Sequence, residues 1–244
     1  MFTIHIRLNK MKKIILALLL NTICYSQSAT ITYNFKILED KKLLESPYIG
    51  KIFSEQIKAA KFLEFKLVFS DTISKFENIQ TMGMGEQNIS SVLMASRCVK
   101  PKFIYNDTLY HNNQEGVFTE NKYLIASPLN KNWVLTNETK KIDNYTCYKA
   151  TSEYIVINGK GEFHHPVIAW FCPELPYSFG PAGYGGLPGL ILELQEWNNV
   201  FGAIKIEFKP LDEPIVLPTK GIKIADQDYQ NKVGEAFMKE FDRN

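Results

Sequence analysis

Histidine and cysteine are both scarce in this chain, with four of each among 244 residues. It contains no Cys-x-x-Cys pair, His-Glu-x-x-His helix or Gly-x-Ser-x-Gly elbow, so the patterns of common zinc sites and of serine hydrolases are missing. His164 and His165 are adjacent on a predicted strand, so their side chains point to opposite faces. Glu162 and His164 share a face, but a zinc site usually has three or four ligands. The sequence therefore predicts no metal and no cofactor.

Excess charge of either sign is also missing. The chain has 28 basic and 26 acidic residues, a formal net charge of +2. Removing residues 1–27 would take away four basic residues and no acidic one. The lysines that remain are interleaved with acids, whereas phosphate binding needs a basic patch. We therefore predict that nucleic acid is not a partner.

The apolar run near the start, residues 14–20, is too short to span a bilayer. It follows three lysines within residues 10–13 and precedes a polar stretch with small residues at 25–29. This order is typical of a secretory signal peptide, which predicts that residues 1–27 are removed on export. We expect an exported protein without a transmembrane segment, either periplasmic, associated with the outer envelope, or secreted from the cell.

The sequence is rich in apolar residues, which make up 45% of the chain. Residues 30–38 and 63–70 alternate between apolar and polar, as half-buried strands do. Apolar spacing of three to four predicts a short helix over 50–62 and another over 226–241. Residues 76–100 carry scattered glycines and methionines and predict an irregular insertion. Short extended segments with turn residues between them follow at 101–105, 108–112, 116–119, 122–127 and 132–136.

Together these segments predict a mainly β (α+β) fold class. Residues 28–244 are expected to form a single domain, because no low-complexity linker divides them and their length suffices for one core. We expect a curved antiparallel sheet built of hairpins, with one short helix near residues 50–62 and a C-terminal helix.

Residues 144–157 and 162–172 are two extended runs that bracket Asn158-Gly159-Lys160-Gly161, a strong hairpin signal. One possible register places Cys147 directly opposite Cys172, and the other shifts the pairing by two residues. The same apolar residues share a face suited to the core in both registers, so the pattern does not choose between them. They are Tyr148, Ala150, Tyr154, Val156, Phe163, Val167, Ala169 and Phe171.

Three cysteines remain after residue 27: Cys98, Cys147 and Cys172. An exported protein enters a compartment that permits disulfides, so a bridge between Cys147 and Cys172 is one hypothesis. Buried free thiols are the alternative, because free cysteine packs as a small apolar residue. A catalytic cysteine is less favoured, since a thiolate needs a nearby base and histidines are few.

A loop rich in glycine and proline joins the strand ending at residue 172 to the next strand, at 190–195. Prolines stiffen such a loop, and glycines permit positive φ angles and close backbone approach. One interpretation is a structural bend that packs two hairpins, because conformation alone explains glycine and proline at fixed turns. The other is that the loop lines the mouth of a cavity formed by a curved sheet. The candidate binding residues are Tyr177, Phe179, Tyr184, Gly185, Gly186, Leu187, Pro188 and Gly189.

The run Gly185-Gly186-Leu187-Pro188-Gly189-Leu190-Ile191 resembles the signature of the GLPGLI family, secreted proteins of the Bacteroidetes lineage whose biochemical activity is not established. The order of the other segments is similar to the family's layout over residues 30–210. The family has no agreed catalytic residues, so none is carried over to this chain. By analogy, the alternation of strands is similar to the curved antiparallel sheet of the LolA lipoprotein carriers.

Aromatic residues are abundant and catalytic residue types are few. We therefore expect a non-enzymatic binding or accessory protein that holds an apolar ligand or an apolar segment of an envelope partner. One alternative is a hydrolase that depends on Cys172 or on a carboxylate such as Glu193. Glu193 and Glu196 could form a carboxylate pair, although the alternation around Glu193 favours ordinary polar positions on a strand. The other alternative is a purely structural interaction protein of the envelope.

Overall fold

The alternating segments pair into one open, curved sheet of twelve strands in the computed structural model, which describes residues 28–79, 86–114, 116–158 and 161–241. The strands are β1 (Ser28–Ile37), β2 (Glu64–Ser70), β3 (Ile73–Ile79), β4 (Lys102–Tyr105), β5 (Thr108–Asn112), β6 (Tyr123–Pro128), β7 (Val134–Ile142), β8 (Tyr145–Asn158), β9 (Gly161–Cys172), β10 (Leu190–Glu196), β11 (Asn199–Phe208) and β12 (Ile222–Ala225). The helices are α1 (Lys41–Leu44), α2 (Gly50–Ala60), α3 (Glu86–Ala95) and α4 (Asp226–Phe241), with a 3-10 turn at Pro181–Gly183. The mainly β fold class, the helix near 50–62 and the C-terminal helix are confirmed. The predicted signal peptide lies outside the described residues.

Hairpins connected in sequence build most of this sheet. The strand order is β12–β6–β5–β4–β3–β2–β1–β11–β10–β9–β8–β7. Neighbours are antiparallel except β12 and β6, which run parallel. Tight turns between strands use residues that tolerate a left-handed backbone, such as Asp71 (φ 46°), Asp107 (φ 57°) and Asp143 (φ 52°). The turn chemistry in the sequence thus sets the antiparallel order.

Aromatic rings fill one face of the central strands. The most deeply buried are Tyr33, Phe35, Phe65, Phe69, Phe76 and Phe201. The rings of Phe65 and Phe76 stack with centroids 5.3 Å apart, and Phe201 meets Phe65 edge-on at 5.3 Å. The Tyr33 hydroxyl donates a hydrogen bond to the Ile191 carbonyl at 2.6 Å, so its polar end is satisfied inside the core.

Helices α2 and α3 belong to the same core as this face. Phe53 and Ala60 of α2 and Val92 of α3 are buried against the aromatic cluster. The amide of Gln56 on α2 donates to the Ser91 hydroxyl on α3 at 3.0 Å, which ties the two helices together. The core face is therefore filled by the chain's own side chains.

The hairpin of β8 and β9 adopts the register in which Tyr148 lies opposite Phe171 and Tyr154 opposite His165. This is the register that sets Cys147 opposite Cys172, and the alternative shifted by two residues is wrong. The β7 ladder reaches Thr151 and the β10 ladder reaches Val167, so the described residues 153–158 and 161–166 extend beyond both neighbours. We call these residues the arm.

The position of the arm explains why some residues on the predicted apolar face of the hairpin are not buried. Ala150, Val167 and Ala169 are buried as expected. Phe163 is 41% exposed because it lies on the arm, where no neighbouring strand covers it, and Tyr148 is 40% exposed. The prediction that all eight residues of that face enter the core is wrong for these two, and Tyr154 and Val156, also on the arm, are only half-buried.

Two further expectations need correction, and one strand was not expected. Residues 76–100 are not an irregular insertion throughout, because β3 extends to Ile79 and α3 covers Glu86–Ala95; the Met82-Gly83-Met84-Gly85 run lies outside the described residues. No strand forms in the described residues 116–119. The parallel strand β12 was not predicted. Among the described residues, no helix combines the length and apolarity needed to cross a bilayer.

A pair of phenylalanines tests the placement of the core. Replacing buried Phe65 by Ala should lower the free energy of unfolding by about 3–5 kcal/mol, because the ring leaves a cavity among its aromatic neighbours. Replacing Phe163 on the arm by Ala is the matched control and should cost under about 1 kcal/mol. Urea unfolding followed by circular dichroism measures both. Equal losses would contradict this core.

Candidate functional site

The glycine-rich segment between β9 and β10, residues 173–189, folds back on itself as a bend. A β-bridge joins Phe179 to Gly185. The Gly186 amide donates to the Ser178 carbonyl at 2.9 Å. The Ile191 amide donates to the Phe179 carbonyl at 3.0 Å, which fastens the bend to β10. The backbone polar groups of the bend are thus used to hold its own shape.

Two glycines of the bend are required by close backbone contact. A Cβ atom on Gly189, where φ is 157°, would lie 2.3 Å from the Cys172 carbonyl oxygen. A Cβ atom on Gly185 would lie 2.5 Å from the Ser178 carbonyl oxygen. Neither contact is possible for a larger residue without moving the backbone. These positions explain the signature on structural grounds alone.

The structure separates the eight candidate binding residues of the bend. Phe179 and Leu187 are buried in the core, and the ring of Phe179 lies 5.4 Å from that of Phe69. Neither lines the cavity that Tyr184 borders, and binding by them stays a prediction. Tyr177 also packs on Phe69, at 4.7 Å. Tyr184 does line a cavity. The other four, Gly185, Gly186, Pro188 and Gly189, shape the bend, and binding by them stays a prediction.

Tyr184 leads to a buried carboxylate at the end of β10. Glu196 is only 8% exposed. Its carboxylate accepts a hydrogen bond from Arg97 Nη1 at 2.7 Å and another from the Tyr184 hydroxyl at 2.5 Å. The Arg97 guanidinium also lies over the ring of Tyr154, 4.3 Å from its centroid. We call these four residues the Glu196 cluster. It satisfies the rule that a buried charge must be paired and hydrogen-bonded.

Arg97 reaches this cluster from a strained position just after α3. Its backbone has φ 58°, and its amide donates to the Met94 carbonyl at 3.1 Å. Glycine usually occupies such a position after a helix, since other residues pay about 1 kcal/mol or more for a left-handed backbone. The Arg97 side chain forms the ion pair with Glu196, which glycine at this position could not form. The contact made by its side chain, and not the geometry of the helix end, therefore accounts for arginine at this position.

The Glu196 cluster forms one wall of a cavity of about 510 Å³. That volume lies within the range of small-molecule sites. The other walls come from β4 to β6, the bend, the arm and the start of α4. The lining includes Lys102, Leu109, His111, Ser127, Leu129, Asn130, Glu153, Ile155, Ala182, Gly183, Asp226 and Gln230. Groups of both charge signs thus lie beside apolar side chains in one recess.

Burial shifts two titratable groups of this cavity. Desolvation, with the charge of Lys102 as the next cause, lowers the pKa of His111, so the imidazole is neutral at pH 7. Desolvation and then the Glu196 carboxylate raise the pKa of the Tyr184 phenol, so its hydroxyl keeps its proton. The cavity therefore offers fixed hydrogen-bond donors and a neutral imidazole.

The residues of the hydrolase alternative are poorly placed for catalysis. Glu193 forms an ion pair with Lys140 at 2.6 Å. Because Glu193 and Glu196 are three residues apart on a strand, their side chains leave opposite faces and cannot act as a carboxylate pair. The Cys172 side chain is fully buried, and burial raises the pKa of its thiol. Such a thiol is a weak nucleophile.

A second recess of about 540 Å³ lies on the opposite face of β1 to β3. Residues 209–216 cover it, and Lys66, Lys75 and Glu77 line it. Its ion pairs are partly exposed, with Lys75 and Glu77 at 2.6 Å. It contains no buried and fixed charge comparable to Glu196. We therefore take the cavity at the Glu196 cluster as the candidate site.

The arm carries the histidine that shares a face with Glu162. His164 contacts Glu153 through Nδ1 at 2.7 Å and Glu162 through Nε2 at 3.0 Å. The hydrogen bond to Glu153 is the main cause that raises the pKa of His164. In the part of the chain that the structure describes, no group of three or more histidine, cysteine or acidic side chains is placed to hold a metal ion.

The sequence marked Tyr184 as a candidate binding residue but favoured an ordinary polar position for Glu196, and it missed Arg97 and Tyr154 as their partners. Arg97 follows a helix that was not predicted, so nothing local marked it. Tyr154 was assigned to an apolar core face. Arg97 and Glu196 are 99 positions apart in the sequence, so no short sequence pattern could predict their contact.

Comparisons with known proteins add the following. A model of the family described as "Protein of unknown function (Porph_ging)" matches residues 158–193, which run from the end of β8 through β9 and the bend into β10. No curated protein matches this chain. Structures of PNGF-II in the P21 and C2 space groups are similar, with TM-scores of 0.49 and 0.48 and sequence identities of 13% and 14%. The match covers 86% of this chain but only 34% and 33% of the PNGF-II chains. This chain thus spans about a third of their length, and a likeness of this degree carries no functional conclusion.

Replacing Gly189 by Ala should lower the free energy of unfolding by at least about 3 kcal/mol, because the new Cβ would meet the Cys172 carbonyl and the φ angle favours glycine. Gly116→Ala is the matched control, since no heavy atom lies within 4 Å of its Cβ position. Its effect should stay within about 0.5 kcal/mol. Thermal unfolding of both variants measures the difference. A Gly189→Ala variant as stable as the parent would refute the tight contact.

A double-mutant cycle on Glu196→Gln and Arg97→Met tests the ion pair. Each single change should cost about 1–3 kcal/mol, because it leaves one partner without its charged contact and Glu196 is almost buried. The coupling energy between the two should be at least about 1 kcal/mol. Lys41 and Glu45, an exposed pair at 3.8 Å, provide the control cycle, with coupling below about 0.5 kcal/mol. A coupling energy near zero between Glu196 and Arg97 would show that these two side chains do not stabilise each other.

Proposed function

We propose that this chain is an exported, non-enzymatic binding protein of the uncharacterised GLPGLI type, and that the cavity at the Glu196 cluster binds a small zwitterionic ligand such as an amino acid or a short peptide. The observation that carries the proposal is the Arg97 guanidinium, held in place on one side of a ligand-sized cavity. Glu196 engages its Nη1 atom, and the ring of Tyr154 supports its plane.

A guanidinium held in this way favours an acidic ligand group. The Arg97 side chain is 40% exposed and lines the cavity, and the bonds within the cluster use only one of its nitrogen atoms. Arginine presents five donors in a planar fork that matches a carboxylate. Because its orientation is already fixed, a ligand would not have to order it on binding. Lys102 lines the same cavity and adds a second positive charge.

The acidic residues of the cavity favour a basic ligand group. Glu153 on the arm and Asp226 at the start of α4 line it. An amino group placed near these carboxylates would complete a pair of opposite charges across one ligand. Apolar atoms of Leu109 and Leu129 remain between them for a small side chain. A free amino acid or a short peptide has this combination of groups.

The geometry favours a polar ligand over the apolar one expected from the aromatic content. The aromatic residues that suggested an apolar ligand are those that fill the central sheet face, such as Phe65 and Phe76. The cavities described above have walls of mixed polarity. An apolar segment of an envelope partner therefore finds less support than a charged one.

Export and family membership are supported by sequence. Three lysines, an apolar run and small residues at the start have the order of a signal peptide. The short family match overlaps the glycine-rich signature. Binding rather than catalysis is supported by the buried thiols and by an ion-paired Glu193.

Native mass spectrometry of residues 28–244, purified from the host's envelope fraction, is the first test. We expect an extra mass that is lost on denaturation. Thermal shift and calorimetry with the standard amino acids and a set of dipeptides then identify the ligand class. Amidation of the ligand's carboxylate and acetylation of its amine should each weaken binding by about 10-fold or more, since each removes a charged contact.

Two variants locate the site. Arg97→Lys keeps the charge beside Glu196 but loses the planar fork, and it should weaken binding about 10- to 100-fold. Lys66→Met, in the recess on the opposite sheet face, is the control and should bind normally. Unfolding curves confirm that both variants are folded. A bare monomer mass together with no shift for any ligand would overturn the proposal and favour a purely structural interaction protein.

A further inference from the structure

We infer that Cys147 and Cys172 form a disulfide bond in the exported protein, and that this bond fixes the β8–β9 hairpin directly beneath the glycine-rich bend. The inference rests on the export proposed above but not on the ligand. It concerns the face of the sheet opposite to the one on which Glu196 lies, so it adds a covalent feature to a different part of the molecule.

The register of the hairpin brings the two cysteines together. Tyr148 lies opposite Phe171, so the next pair toward the open end of the hairpin is Cys147 with Cys172. Directly opposed residues of an antiparallel ladder have Cα atoms about 4.5 or 5.5 Å apart. Disulfides need a Cα separation of about 4.4–6.8 Å. Either type of opposed pair therefore has a Cα separation within this range.

Burial and side-chain direction support the same pairing. Cys147 and Cys172 lie on one face of the hairpin, opposite to the face of Tyr148 and Phe171. Both are fully buried free thiols in the structure. Oxidation would therefore join two neighbouring groups across the ladder.

The bend is built directly on this pair. The Leu175 amide donates to the Cys172 carbonyl at 3.1 Å. Gly189 approaches the same carbonyl so closely that a Cβ atom would collide with it. A bond at Cys172 would thus fix the point on which both ends of the bend rest.

Cys98 is excluded as the partner of either cysteine by its surroundings. It is buried near Lys102, Glu196 and Arg97, on the side of the Glu196 cluster. It should remain a free thiol, and it therefore provides an internal control for every measurement.

Formation of the disulfide requires an oxidant. Burial of the thiols determines when during folding the bond can form. Two thiols lose two protons and two electrons to a disulfide of the export compartment, either of a protein or of glutathione, which becomes two thiols. Burial raises the pKa of the Cys147 thiol to about 12. Since the thiolate is the attacking species, the folded and reduced protein should oxidise very slowly. The bond must therefore form before the hairpin is covered.

The test uses residues 28–244 isolated from the envelope fraction, with free thiols blocked by alkylation during denaturation. We expect one alkylated cysteine, Cys98, and a peptide that joins 147 to 172 and separates on reduction. Three alkylated cysteines would overturn the inference, provided that the protein is shown to be exported. If chain retained in the cytoplasm is reduced but forms the 147–172 bond when refolded with oxidised glutathione, the pairing stands and the export proposal fails.

Stability measurements distinguish a bond from two packed thiols. Cys147→Ala, Cys172→Ala and the double variant should lower the Tm by a similar amount, about 5–15 °C, because each removes the same bond. Cys98→Ala is the control: it keeps the 147–172 bond, so its Tm should fall on reduction by the same amount as the parent's. If the two single losses simply add in the double variant, and reduction leaves the parent's Tm unchanged, no bond exists.

Discussion

A close approach of two backbone segments, Gly189 against the carbonyl of Cys172, is the constraint on which the rest of the structure depends. It allows the chain to leave β9, turn through the bend and re-enter the sheet as the next strand, β10. Interiors of proteins are packed densely enough that such a contact cannot be relaxed by a small shift. The glycines of the signature are therefore required by a packing contact. The signature indicates a backbone conformation and does not by itself indicate a reaction.

The bend passes this constraint to the candidate site. The indole Nε1 of Trp133 donates to the Gly185 carbonyl at 2.9 Å, which ties the bend to the residue before β7. Lys102 on β4 donates to the Ala182 carbonyl at 2.9 Å from the other side. Tyr184 lies between these two anchors and reaches Glu196. The position of the buried carboxylate's donor is thus set by backbone contacts of neighbouring residues.

Local patterns predicted those parts of the fold whose stabilising contacts are close in sequence. β1 and β2 alternate clearly because one face of each is buried, and the turn residues between β4 and β5 marked a hairpin. Helix α3 contains Asn, Ser and Val, which have modest helix propensity, so its packing through Val92 decides its structure. β12 is four residues long and pairs with β6 in parallel, a contact that no turn signal announces. The register of β8 and β9 was ambiguous in sequence, because both options put the same side chains on one face.

An open sheet of twelve strands has two edge strands, β7 and β12, to which strands of another molecule could pair. The two edges are protected by different features. β7, at one end, is irregular between Leu135 and Thr139 and carries Lys140 and Lys141. β12, at the other end, is short and continues directly into α4. Bulges, lysines and short edge strands all oppose pairing between molecules. These features of the edge strands oppose edge-to-edge aggregation, although they add nothing to the packing of the core.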